Sequence, residues 1–220
     1  MHDTVKRYID IINTINAKLE DQKIQKIPKI IAVSKTFNLD KILPLILHGH
    51  LDYGENKVQE AVEKWTDIKL KNPAIKLHLI GKLQTNKVKF ALKVFDYIHS
   101  VDSEKLAKKI ADEELKQNKK IKIFLQVNIG NEDQKSGINI SEVAKLYHYC
   151  NELSLNVIGL MCIPPAKEEP NKFFQETNLL NKKLNLFELS MGMSSDYLAA
   201  IENNSTYLRI GSSIFGNRNQ

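Results

Sequence analysis

A rhythm in the sequence does most to limit what this chain can fold into. Eight short apolar runs, each followed by an amphipathic segment, occupy Lys29 to Ser34, His50 to Tyr53, Lys76 to Ile80, Tyr97 to Ser100, Lys122 to Asn128, Asn156 to Cys162, Leu186 to Ser190 and Tyr207 to Ile210. Runs of this length read as buried strands, and the stretches between them repeat apolar residues at helical steps. A further helix is predicted over residues 3–21, and Ser103 stands where it can cap the helix that opens Glu104-Lys105-Leu106. Eight strand-plus-helix units leave two architectures, a closed parallel barrel or a doubly wound open sheet. A dinucleotide-binding open sheet carries GxGxxG after an early strand, and this chain has no such motif. The expected fold class is therefore α/β: a single-domain (β/α)8 TIM barrel over residues 1–220 with an extra N-terminal helix.

Composition narrows the function classes. No linker-like or low-complexity tract interrupts the 220 residues, and 42% hydrophobic with 26% charged residues suits one globular core. The formal charge is +6, but only Arg7, Arg209 and Arg218 are arginines, and base readout favours clustered arginine. No nucleic-acid partner is expected. The densest basic patch, Lys116 to Lys122, reads as a solvated turn between a helix and a strand. The opening Met1-His2-Asp3-Thr4 lacks an apolar signal region and no apolar stretch is long enough to span a bilayer, so a cytoplasmic protein without membrane attachment is expected. Cys150 and Cys162 stand outside any CxxC or Cys-His spacing, which points to buried small hydrophobes rather than a disulfide or a metal site.

The chemistry starts at Lys35, which ends the apolar run Ile30-Ile31-Ala32-Val33-Ser34. Strand C-terminal ends form the functional face of a barrel. A lysine partly withdrawn from water there loses some affinity for its proton and becomes a nucleophile toward an aldehyde, the requirement for a Schiff base. Two later segments supply a partner: Leu189-Ser190-Met191-Gly192-Met193-Ser194-Ser195-Asp196, where Ser194 or Ser195 can cap a helix, and Arg209-Ile210-Gly211-Ser212-Ser213. Together they put backbone donors after strands seven and eight, where barrels often hold phosphate; two ordinary capped helices are the alternative. An aldehyde that also bears a phosphate ester would use both ends. Pyridoxal 5'-phosphate fits, with Lys35 on the aldehyde, Ser194, Gly211 and Ser212 on the phosphate, and Arg209 facing the pyridine nitrogen. Arg209 has a second reading as an exterior ion pair. Asn56, in Tyr53-Gly54-Glu55-Asn56-Lys57, suits either a hydrogen bond to the ring oxygen or a helix N-cap. His78 alternates with apolar neighbours and reads as a core histidine ahead of a general base, while Gln84, Asn86 and Lys87 suit a rim.

The segments IIAVSK, YGENKVQE, HLIGKLQTNK, QVNIGNEDQKSGI, GLMCIPP, LSMGMSSD and RIGSSIFG together resemble the pyridoxal phosphate homeostasis protein family, in order and over nearly the whole chain. Lys57, Leu77 and Leu79 depart from residues common in that family. The resemblance implies an alanine racemase N-terminal-domain-like barrel of fold-type III, with Lys35 as the Schiff-base lysine, Ser194, Gly211 and Ser212 at the phosphate and Arg209 at the pyridine nitrogen. It also implies a protein that binds, buffers or delivers the cofactor without turnover, with apoenzymes that use it as recipients; a monomer is expected because the sequence shows no large exposed apolar stripe. The alternatives are an amino-acid racemase of weak activity, using Lys35 and a rim group such as Tyr53 or His78, and a cofactor-free lysine aldolase. A racemase of this class draws a second acid/base group from a further C-terminal domain. The chain stops at Gln220, which favours binding over turnover.

Overall fold

In the computed structural model, which describes residues 1–132 and 136–216, eight parallel strands close into a barrel in sequence order. The strands are β1 (Lys29–Val33), β2 (Asp52–Glu55), β3 (Lys76–Leu79), β4 (Tyr97–Val101), β5 (Lys122–Val127), β6 (Asn156–Cys162), β7 (Glu188–Met193) and β8 (Tyr207–Ile210). Around them run α1 (Asp3–Asp21), α2 (Leu39–Leu47), α3 (Val58–Lys71), α4 (Val88–Val94), α5 (Glu104–Gln117), α6 (Val143–Glu152), α7 (Pro170–Lys183), α8 (Tyr197–Glu202) and α9 (Ser212–Phe215). Helix α1 starts where the His2 ring accepts the Thr4 N–H at 3.2 Å, and buries Ile11, Ile15 and Leu19 at four-residue steps. Ser103 caps α5 by accepting the Leu106 N–H at 3.4 Å, as its position predicts. None of the described helices is long and apolar enough to cross a membrane.

Both faces of the strands are buried, as a closed parallel sheet requires. Ile31, Val33, Tyr97, Phe124, Met161 and Tyr207 fill the barrel, and a larger layer lies between strands and helices. Two strands run later than the sequence suggests. β2 includes Gly54 and Glu55 and leaves out His50, because Gly54 faces the barrel, where an added Cβ would lie 2.9 Å from Ile31 Cγ2. β7 continues through Gly192 to Met193 instead of ending at Ser190. The Lys116–Lys122 patch is also more than a solvated turn. Half-buried Lys119 donates to the Leu92 and Phe95 carbonyls at the end of α4, and Lys120 pairs with buried Glu114 at 2.8 Å. Both cysteines are buried and free, as expected.

Candidate functional site: a lysine chamber at the barrel mouth

Register sets the site. Val33 of β1 pairs with Gly54 of β2, so Lys35 and Asn56, each two residues further on, leave the sheet side by side. On the other flank β1 meets β8, with Ile31 opposite Arg209. These segments and the end of β7 enclose a chamber of about 360 Å³ at the C-terminal mouth. Its lining includes Lys35, Asn56, Ser194, Arg209, Gly211 and Ser212, the six residues expected from the sequence to contact the cofactor, brought into one cavity. Val33, Phe37, Ile80, Ile163 and Met193 supply apolar walls that the sequence reading did not name.

One side of the chamber is built from donors. Ser194 Oγ accepts the Gly211 N–H at 3.4 Å and the Ser213 N–H at 3.5 Å, contacts long enough that an anion would be the better acceptor. Ser194 does not cap α8, contrary to expectation. The N-cap is Asp196, whose carboxylate is taken up by the Met193 N–H at 2.5 Å. Gly211 comes so near β1 that a Cβ on it would lie 3.3 Å from Val33. Asn56 is not an N-cap either, since α3 starts from Lys57 without a side-chain bond. Its backbone is pressed against Gly81, where an added Cβ would lie 2.4 Å from the Asn56 carbonyl oxygen.

The floor is a string of polar side chains through the barrel. Arg209 is 4% exposed and points inward, which rules out the exterior ion pair. Its Nη1 donates to Ser190 Oγ at 2.8 Å and its Nη2 to the Cys162 carbonyl at 2.9 Å. Ser190 Oγ meets His99 Nδ1 at 2.8 Å, His99 Nε2 meets His78 Nδ1 at 3.0 Å, and His78 Nε2 reaches Asp52 Oδ1 at 2.9 Å. Burial holds both imidazoles below their ordinary pKa, His99 furthest, with repulsion from His78 and Arg209 added; the Asp52 contact opposes the shift in His78. For Asp52 burial acts upward, but the hydrogen bond from His78, with the Lys29 charge added, outweighs it and holds the carboxylate below its usual range. With both rings neutral, one set of donors satisfies every link: Arg209 to Ser190, Ser190 to His99, His99 to His78, His78 to Asp52. Burial also lowers the Arg209 pKa, but from so high a starting value that the guanidinium stays charged.

His78 is the hydrogen-bonded core histidine that its alternation with apolar neighbours predicts, and Tyr53 faces α3, its ring 4.8 Å from Trp65, so neither serves as the rim base of a racemase. Gln84, Asn86 and Lys87 are not in the chamber lining; Asn86 belongs to a separate groove with Thr85, Lys105 and Lys109 of α5. His99 and Ser190 were missed. Tyr97 and His99 alternate with apolar Ile98 along β4, a period-two signal that puts both inside. The loop containing Lys135, a possible second basic site, falls on residues 133–135, outside the described residues.

A closed β/α barrel in which a lysine leaving β1 shares a chamber with hydroxyl and N–H groups at the ends of β7 and β8 defines the class of lysine-bearing barrels. Residues 14–219 match the family model for the alanine racemase N-terminal domain. The chain is 38% identical over 200 residues to the pyridoxal phosphate homeostasis protein of Aquifex aeolicus, covering 86% of this chain and 87% of the relative. It is 34% identical over 227 residues to the Haemophilus influenzae protein of that name, covering 94% of each. It belongs to the pyridoxal phosphate homeostasis protein family. PipY of Synechococcus elongatus, solved with pyridoxal phosphate bound, superposes with a TM-score of 0.80 at 32% identity, over 92% of this chain and all of that one. An alanine racemase from Clostridium difficile, 13% identical with a TM-score of 0.70 over 94% of this chain and 57% of its own, shares the fold.

Proposed function

We propose that this protein binds pyridoxal 5'-phosphate covalently at Lys35 and serves intracellular homeostasis of the cofactor, holding and releasing it rather than using it in turnover. The observation that carries the reading is the convergence of an amine, an anion cup and a buried guanidinium on one chamber. Its volume, about 360 Å³, falls within the range of roughly 300 to 1,000 Å³ typical of small-molecule sites. Bound there, the cofactor would supply an aldehyde for the Lys35 amine to hold covalently. Ser194 Oγ and the Gly211 and Ser213 N–H groups hold the phosphate. Asn56 orients the ring beside the lysine. Arg209, pinned by Ser190 and Cys162, presents a permanently charged donor that cannot pass a proton to the pyridine nitrogen, so the ring is kept a weak electron sink. Among the described lining residues Lys35 and Arg209 are the ionisable side chains, which leaves no acid/base pair for racemisation. The pyridoxal phosphate bound in PipY and the names of the curated relatives support the same ligand. A monomer that hands the cofactor to apoenzymes accords with this role.

The test is a visible spectrum of purified protein with added pyridoxal 5'-phosphate, followed by borohydride reduction and peptide mapping. Wild type is expected to be yellow with the reduced adduct on Lys35, and Lys35→Ala to be colourless and unlabelled. An adduct on another lysine, or equal colour in the variant, refutes the proposal. Steady incorporation of solvent deuterium into an amino acid would revive the racemase.

A further inference from the structure

Lys35 occupies the second position of a tight turn from Ser34 to Phe37, closed by the Phe37 N–H donating to the Ser34 carbonyl at 3.2 Å. The third position, Thr36, has φ of 64°. Turns with positive φ there take Gly or Asn, and a β-branched residue in the left-handed region is strained. Strain of this kind persists only where its surroundings enforce it. Here the enforcement comes from α3. The Thr36 N–H donates to Glu60 Oε1 at 2.8 Å. One helical turn later Lys64 donates to Glu60 and Glu55, each at 3.0 Å, and to the Ser34 carbonyl at 3.1 Å, so its three protons have three acceptors. Buried Glu55 also takes the Ser34 hydroxyl at 2.8 Å and the Trp65 indole N–H at 2.9 Å. The peptide on both sides of Lys35 is thereby tied to one helix, and none of Glu55, Glu60 and Lys64 lines the chamber.

We propose that Glu60 is a positioning residue: by accepting the Thr36 N–H it holds Thr36 in the left-handed conformation and so aims the Lys35 amine into the chamber. This rests on the reading of Lys35 as the amine that takes up the aldehyde. Glu60 lies on the outer side of the turn, with its side chain 29% exposed, so replacing it leaves the core intact.

The experiment compares wild type, Glu60→Ala, Glu60→Gln, Thr36→Gly and the Glu60→Ala/Thr36→Gly double variant. One readout is the rate of pyridoxal 5'-phosphate capture on Lys35, fixed with borohydride and mapped by peptide mass; urea midpoints run alongside. Losing a charge-assisted bond is expected to slow capture in Glu60→Ala by about tenfold or more, while Glu60→Gln, which keeps an acceptor, stays within about threefold of wild type. Glycine adopts positive φ without penalty, so Thr36→Gly is expected to restore capture in the double variant. General loosening of the fold would not be repaired by glycine. The second readout needs no cofactor: the Thr36 amide hydrogen exchanges slowly in wild type and rapidly in Glu60→Ala. Wild-type capture in Glu60→Ala, failure of glycine to restore it, or unchanged Thr36 exchange overturns the proposal. Capture absent from wild type itself refutes the cofactor reading, and the exchange measurement then decides the clamp alone.

Discussion

Acidification from about pH 7.5 to about pH 5.5 is expected to destabilise this protein through its interior histidines, whose ordinary pKa lies at about 6.5. His78 and His99 are fully buried and His50 is 8% exposed. Burial is the leading cause that holds each below its ordinary value; in His50 it outweighs the favourable bond to the Asp52 carbonyl. Above the unfolded pKa neither state carries the proton, and the pairing of neutral rings is fully available. Below it the unfolded chain takes up protons that the fold refuses, and stability falls by about 1.4 kcal/mol per pH unit for each proton. Half of the interval lies above the unfolded pKa, so a histidine that stays neutral throughout loses about 1.4 kcal/mol. His99, held lowest, should contribute that full amount, and all three together set a ceiling of about 4 kcal/mol. Carboxylates add little, being ionised in both states above about pH 5.5. Urea unfolding of wild type and His99→Gln across this range is the assay, with a slope in the variant shallower by about one proton. Stability that is flat or rises on acidification, or a variant that keeps the wild-type slope, refutes the assignment of neutral rings.

Two substitutions probe the supports of the site. Lys64→Met strips the cation from Glu55, whose side chain is 0% exposed, and is expected to cost about 3 to 5 kcal/mol in urea unfolding; a loss below about 1 kcal/mol would show the carboxylate finding other partners. Gly81→Ala drives a Cβ to within 2.4 Å of the Asn56 carbonyl and should cost about 1 to 3 kcal/mol while weakening cofactor retention, and an unchanged dissociation rate would detach Asn56 from the site.

The barrel was legible because the strands fall in short, largely apolar runs and the helices between them carry one apolar face, a pattern written locally along the chain. Lys35, Arg209 and the Gly211-Ser212 turn were legible for the same reason, as polar residues at the ends of apolar runs. What escaped depends on pairs distant in sequence. The cap on α8 shifted to Asp196 because Ser194 Oγ is engaged by N–H groups beyond β8. The string from Asp52 to Arg209 draws single residues from five strands, and its members Asp52 and Ser190 do not stand out among their own neighbours. Glu60 and Lys64 look like any i,i+4 surface pair until the turn at Thr36 is seen to need them.

The ladder that joins β1 to β8 stitches Lys29–Ala32 to Tyr207–Ile210, near opposite ends of the chain. During synthesis Lys35 emerges well before Ser194, Arg209 and Gly211, which share its chamber. The first seven strands have no partner for the free edge of β1 until β8 has left the ribosome. The nascent polypeptide therefore carries Lys35 long before the chamber around it can close along the β1–β8 seam.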